Sequence, residues 1–559
     1  MKTKTASPRI ALVAKGVVVS LFSVFLVAPA LGADTQYTPI TLTAPSGIPN
    51  VAPLPFTGVT SAAFTIPTTM INLSVTPNQG VVGSPMVVSG TGLPASTSLQ
   101  LTWGTASGTW VADVQPSSVN YLGDSISKFN VNMATVTTDA SGAFSYSTSV
   151  PSDFGGVHDI YAVVNGAAIA HGGYQTTRAL TISPTSGPIG TPITITYTGM
   201  GATLYTAGAA VHWDNNMAGE MQALWTRGTG QVVIRASGPV GTHYVNVGDA
   251  IGVTYMNIIQ SPVPYANGGS LPFQVTRDAG IGKPYMTFPA QVQPTTTLRT
   301  TLSTVGMDPA TKATMTLSQP SGEILSKVNV KTAQAVDGTY QLVWSTVVGN
   351  RVNCTGTCWA FNSIPLGTAN VVNGVSSTDV TIPDNLGGWH VIQMMKGNVI
   401  EAQSPFYVKE SIMPFYDKSG KVIGMGVAAF DPSTSADSVA RGQAGDPTTT
   451  FRNGDYFTIS IKGVGWTQLD NTLAVTYDNN YIGYGCGFNS NGYMVIKLVA
   501  TGAPGTHIID LHPLLYTNQP SFANTPYGML PVLSSDRDFP GLALGYQVPS
   551  IHFAIKIVR

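Results

Sequence analysis

The chain has 559 residues, 43% of them hydrophobic, with 26 basic against 27 acidic side chains. That is enough apolar material to build cores, which excludes a disordered chain, and the charge balance excludes a basic face for nucleic acid. Only 9% of residues are charged, against about 25% in ordinary soluble proteins, and Thr, Ser, Asn and Gly take their place.

The N-terminus reads as an export signal. Lys2, Lys4, Arg9 and Lys15 form a basic stretch, GVVVSLFSVFLV an apolar core, and APALGA supplies small residues, with cleavage after Ala30 or Ala33. About a dozen apolar residues fall short of the roughly twenty a membrane span needs, so a signal peptide over 1–33 is expected rather than an anchor. Its removal leaves 22 basic and 27 acidic residues, a net charge of −5, and no second hydrophobic stretch follows. A secreted or cell-surface chain with no membrane span in its mature part is the expectation. Residues 34–70 form an extended Pro/Thr-rich leader. Its default reading is a flexible segment; a sharper one is a strand added to a neighbouring subunit's sheet, since Lys and Glu, which guard sheet edges, are scarce.

Internal repetition sets the rest. LSVTPNQGVVGSPMVVSGTGL from Leu73 matches LTISPTSGPIGTPITITYTGM from Leu180 at an offset of 107, with Pro77, Gly80, Gly83 and Pro85 on Pro184, Gly187, Gly190 and Pro192. Each copy reads as strand, Pro-Gly turn and second strand. In PITITYTG, Ile193, Ile195 and Tyr197 face one way and Thr194, Thr196 and Thr198 the other, the pattern of a sheet with one buried face. A strand carrying Trp103 or Trp213 follows, the latter running into an Asp214-Asn215-Asn216 turn. Near the C-terminus FTISIKGVGW and LAVTYDNN follow the same plan, with Tyr477 where Trp213 stands.

The clearest repeat marker is Gly-x-His opening a late strand, at His158, His243, His390 and His507. Spacings of 85, 147 and 117 residues put each histidine in its own unit, so a structural corner, with the ring packed and its nitrogens bonded to backbone, is expected over metal or acid–base chemistry. Closing strands LPFQVTR, SPFYVKE and IHFAIKIVR give units over 71–179, 180–277, 278–409 and 410–559, the last two enlarged. Long amphipathic helical patterns are absent, so the fold class is all-β.

ISPTSGPIGTPITITYTGMG from Ile182 resembles the opening strands of the IPT/TIG-type immunoglobulin-like domains of bacterial surface and secreted proteins, and the first copy resembles them too. The resemblance implies tandem immunoglobulin-like β-sandwich domains that serve as spacers or ligand-binding modules. It brings no catalytic residues.

Signals for chemistry are weak. Gly123-Asp124-Ser125 matches three letters of an esterase turn, and Asp510-Leu511-His512 would have to complete it from another repeat. No GxSxG, HExxH or phosphate-binding loop occurs, so no enzyme and no cofactor or metal are expected. The DNN turns offer few carboxylates for calcium. Cys354 and Cys358 in NCTGTC are a candidate small-loop disulfide, leaving Cys486 over as a buried thiol or, alternatively, an intermolecular bridge. Loops over 252–270, with Tyr255 and Tyr265, and over 513–549, with Tyr516, Phe522, Tyr527 and Phe539, are long for a compact domain. Those aromatics either meet a glycan or protein partner, or fold over a sandwich. The resulting expectation is a non-catalytic extracellular structural or assembly protein of a bacterial surface (an S-layer-like, filament or adhesion component), self-associating or binding other surface proteins. The alternative is a carbohydrate-binding secreted protein that uses aromatic loops of its sandwiches.

Overall fold

The computed structural model describes residues 40–42, 60–115, 118–202, 207–249, 254, 259, 267–281, 286–287, 306–349, 359–412, 426–430, 448–465, 472–487, 490–514, 530–533 and 550–559. Every regular element among them is a strand. Side-chain alternation explains why. In Pro192–Thr198, Ile193, Ile195 and Tyr197 are fully buried while the residues between them reach the surface. Lys327–Ala333 does the same with Val328, Val330 and Thr332. Each large apolar side chain so buried contributes roughly 1.5–3 kcal/mol, and only period-two geometry brings the whole set to one face.

The strands build four immunoglobulin-like sandwiches. In the second domain a three-stranded sheet, Ala179–Ser183, Pro192–Thr198 and Gly230–Arg235, faces a five-stranded one. The larger sheet runs Ser186–Gly187, Asn267–Val275, Gly241–Asp249, Gly208–Trp213 and Asn216–Gln222. The third domain repeats this three-on-five plan, with Thr314–Leu317, Lys327–Ala333 and Ser376–Thr381 on the smaller side. Each domain closes on its own core, centred on Trp103, Trp213 or Trp344 in the first three and on Phe457 and Phe553 in the fourth.

The fourth domain is a copy of the second in closer register than its sequence suggests. Five strands of the second domain, starting at 192, 208, 216, 230 and 241, have counterparts starting at 456, 472, 480, 494 and 505, each 264 residues on. Even the irregularity in the hairpin recurs, between Val211 and His212 and between Val475 and Thr476. The first and third domains are likewise kin. Both carry a hairpin far longer than a sandwich edge, Ser98–Gln115 with Ser118–Thr137 and Gly338–Gly349 with Trp359–Val371. Among the described residues the domains thus alternate in kind, the first with the third and the second with the fourth.

Three segments cross the boundaries drawn from sequence. In the leader, Ile40–Leu42 pairs antiparallel with Trp110–Ala112, in the long hairpin of its own chain's first domain. Further along the leader, Thr60 bridges Val131 and Thr65 bridges Ala167. Met286–Thr287, counted with the third unit from sequence, pairs instead with His552 and Phe553 of the fourth domain. Val532, in the long loop of the fourth domain, bridges Glu220 of the second.

Candidate functional site: corners, joints and the clasp between repeats

The Gly-x-His corners come in two kinds. In each domain the ring lies against the aromatic residue of the neighbouring strand, His158 on Trp103 at 4.2 Å, His243 on Trp213 at 5.0 Å, His390 on Trp344 at 4.5 Å and His507 beside Tyr477 at 5.6 Å. Nε2 always faces the carbonyl four residues back, that of Phe154, Pro239, Leu386 or Ala503. Nδ1 makes the distinction. In the first and third domains it meets a carbonyl, Gly104 O at 2.8 Å or Ser345 O at 3.1 Å. In the second and fourth it meets a carboxylate of the Asp-Asn-Asn turn, Asp214 at 2.9 Å or Asp478 at 2.6 Å. The other oxygen of each carboxylate accepts the backbone N–H of Tyr244 or Ile508. The turn carboxylates are thus committed to the corner, a partnership marked in sequence by an Asp 29 residues before the His in both domains.

Charge follows geometry. Burial holds the His390 pKa down at about 4, against weaker upward pulls from its carbonyl partners. Burial also lowers that of His507, but the hydrogen bond and charge of Asp478 outweigh it and the net shift is upward.

Where the first and second domains meet, backbone touches backbone. Gly155 N–H donates to Met200 O at 2.7 Å, and Met200 N–H to Gly228 O at 3.0 Å. The third and fourth domains repeat both bonds, Gly387 to Val464 at 2.9 Å and Val464 to Gly492 at 3.1 Å. A Cβ on Gly155 would lie 1.8 Å from Gly199 O, and one on Gly387 1.6 Å from Gly463 O. Only glycine permits either joint.

Side chains around the joints have changed together. Asp153, buried in the first joint, accepts from Trp103 Nε1 and Phe154 N–H, both at 2.9 Å, and faces Arg227, whose pKa burial lowers and Asp153 pulls back up. In the second joint these positions hold Asn385 and Asn491, so a buried charge pair is replaced by amides. A new pair stands beside them, with Lys462 3.0 Å from Asp384, and Tyr493 OH donating to the same carboxylate at 2.5 Å.

A clasp holds the second domain against the fourth. Asn479 Nδ2 donates to Arg235 O at 2.7 Å and Ser237 Oγ at 2.9 Å. Arg235 Nε lies 3.8 Å from the buried carboxylate of Asp510, which also takes His552 Nδ1 at 2.9 Å. Burial alone would raise the Asp510 pKa, but His552, His512 and Arg235 hold it below the usual carboxylate value. Ile508 packs toward Gly190. Glu220 N–H donates to Pro531 O at 2.9 Å and Leu533 N–H to Glu220 O at 2.8 Å, while the Leu533 side chain completes the second domain's core.

The remaining sequence candidates are scattered. Asp124 and Ser125 lie opposite Trp110 and Thr109 in the first domain's hairpin, whereas His512 is buried in Gly505–Pro513 of the fourth, so the three stand in sheets of different domains. Tyr255, Tyr265, Tyr516, Phe522, Tyr527, Phe539, Cys354 and Cys358 lie outside the described residues; Cys486, expected to be buried, is instead an exposed free thiol. Sequence reasoning placed Asp214, Asp478 and Asn479 in turns without seeing their partners, and missed Arg235 and Leu533. The 29-residue Asp–His spacing was a usable signal for the first two; the others had none.

The chain is a tandem array of immunoglobulin-like β-sandwich domains. No family model matches it, and no curated protein matches it. Among solved structures it is similar to the Escherichia coli adhesin FdeC, at 12% identity over 63% of this chain and 99% of that one, with a TM-score of 0.15. It is similar to the four-domain ectodomain fragment of ICAM-5 at 8% identity over 88% and 100%, TM-score 0.16. A membrane-anchored protein of Corynebacterium diphtheriae matches at 11% identity over 60% and 90%, TM-score 0.14. At these scores the likenesses carry no functional argument.

Proposed function

We propose that the protein is a non-catalytic structural component of a bacterial cell surface, built for assembly or adhesion. The observation that carries this reading is the repeated joint. Backbone packed on glycine at both joints, and a hydrogen-bonded clasp between the second and fourth domains, fix domain orientations that a string of independent binding modules would leave free. The low charge of the chain favours packing against like surfaces. The resemblance of the first and second domains to IPT/TIG modules of surface proteins accords with it. Negative-stain microscopy of the purified chain tests the reading. Sheets or fibres are expected, and dispersed rods at every concentration would overturn it.

A further inference from the structure

The clasp has two faces, and each domain of the repeated pair carries both. The fourth domain supplies a plug: Asn479, Ile508 and Asp510. The second supplies a socket: Gly190, Arg235 and Ser237. At the constant offset of 264 residues, the second domain has its own plug in Asn215, Tyr244 and Asn246, and the fourth its own socket in Gly454, Val499 and Thr501.

Burial at these positions is reversed. Ile508 is 2% exposed and its equivalent Tyr244 48%. Asn479 is buried and Asn215 exposed; Ser237 is buried and Thr501 exposed. Val499, standing where Arg235 does, is 37% exposed, and Gly454 is exposed where Gly190 is half-buried. The second domain's plug and the fourth domain's socket are open.

The open faces also match one another chemically. An amide on the turn opposite a hydroxyl is retained, Asn215 with Thr501 in place of Asn479 with Ser237. The Arg235–Asp510 charge pair becomes Val499 with Asn246, so neither of these two positions brings an unpaired charge into the contact. Tyr244 brings an aromatic side chain to Gly454. Exposed Ile482 and Tyr484 lie in Asn480–Cys486, the counterpart of the strand that takes Pro531 and Leu533 in the clasp.

We infer that the fourth domain of one copy receives the second domain of the next, repeating between chains the clasp that joins the two domains within a chain. The contact is heterologous, so it propagates: every copy retains a free socket at one end and a free plug at the other, and the product is a fibre rather than a closed dimer. This rests on the assembly reading above and names the surface that performs it.

Two single variants test it, Tyr244→Asp on the plug and Val499→Asp on the socket. The mass of the wild-type chain in light scattering rises with concentration, and each variant alone stays at one copy. Mixed, they form a 1:1 dimer and stop, because the first still has a working socket and the second a working plug. Val157→Asp, at an exposed site on the first domain, leaves assembly as in the wild type. Should either aspartate lower the melting temperature, Tyr244→Asn and Val499→Asn replace them. Variants that assemble like the wild type, or a mixture that yields no dimer, would overturn this contact while leaving the structural role standing. A wild-type chain that stays at one copy throughout would remove both.

Discussion

At the scale of single residues, the same corner motif is set to opposite charge preferences. His390 has only carbonyl partners and a folded pKa of about 4. An unfolded chain takes up a proton near pH 6.5 that folded His390 refuses, so its contribution is present above that pH and is lost as pH falls toward 4, a loss of about 3 kcal/mol. His507 is the reverse case. Its folded pKa is raised by Asp478, so its contribution is present below about pH 6.5 and is lost as pH climbs through the folded value. Urea unfolding at pH 4.5, 7 and 9 is the check: His390→Gln flattens the acid side of the stability curve, and His507→Gln the alkaline side. Glycine gives a second test. Gly387→Ala sets a methyl against Gly463 O and forces the joint open, at a cost of about 1–3 kcal/mol in overpacking, whereas Gly173→Ala meets only ordinary contacts and is neutral. X-ray scattering shows a longer particle for the first variant alone.

Individual strands show what sequence can and cannot convey. Alternation in PITITYTG located a buried face because side chains carry that information, and Gly-x-His located the corners because glycine and an aromatic body are needed together. The 264-residue register of the second and fourth domains was written mainly in glycines and the Asp-Asn-Asn turn. Tyr477 was set on Trp213 from sequence, but differences elsewhere, such as Val499 for Arg235, hid how far the register runs. Of the crossing segments only the leader was read from sequence as an added strand, and it was assigned to a neighbouring subunit rather than to its own chain. Ile40–Leu42, Met286–Thr287 and Val532 join their sheets through backbone hydrogen bonds, which any residue but proline can donate and every residue can accept. Leu533 is the exception with side-chain consequence. Leu533→Ala, although its site belongs to the fourth domain's loop, is expected to cost the second domain about 2–4 kcal/mol. Domain-resolved hydrogen exchange separates this from damage to the fourth domain, whose core is intact.

For the whole molecule, the welded joints and the clasp couple what four sandwiches would otherwise do separately. Calorimetry is expected to show fewer transitions than domains, with the second and fourth melting together, and Arg235→Ala to split that shared transition by removing the cation facing Asp510. The same coupling spans a long stretch of chain. Glu220, paired on one side with Ala210, meets a second strand neighbour only at Val532, 312 residues further along, so that edge of the second domain stays uncovered until the fourth domain's loop has been made. Translation order thus ties the completion of one domain to a contact supplied by another. A product interrupted before Leu530 would carry an uncovered sheet edge and a hole where Leu533 belongs, and is expected to be degraded faster than a chain that includes them. Pulse-chase of a chain lacking residues 530–533, which keeps Phe553 and the rest of the fourth domain's core, is expected to show this as rapid turnover.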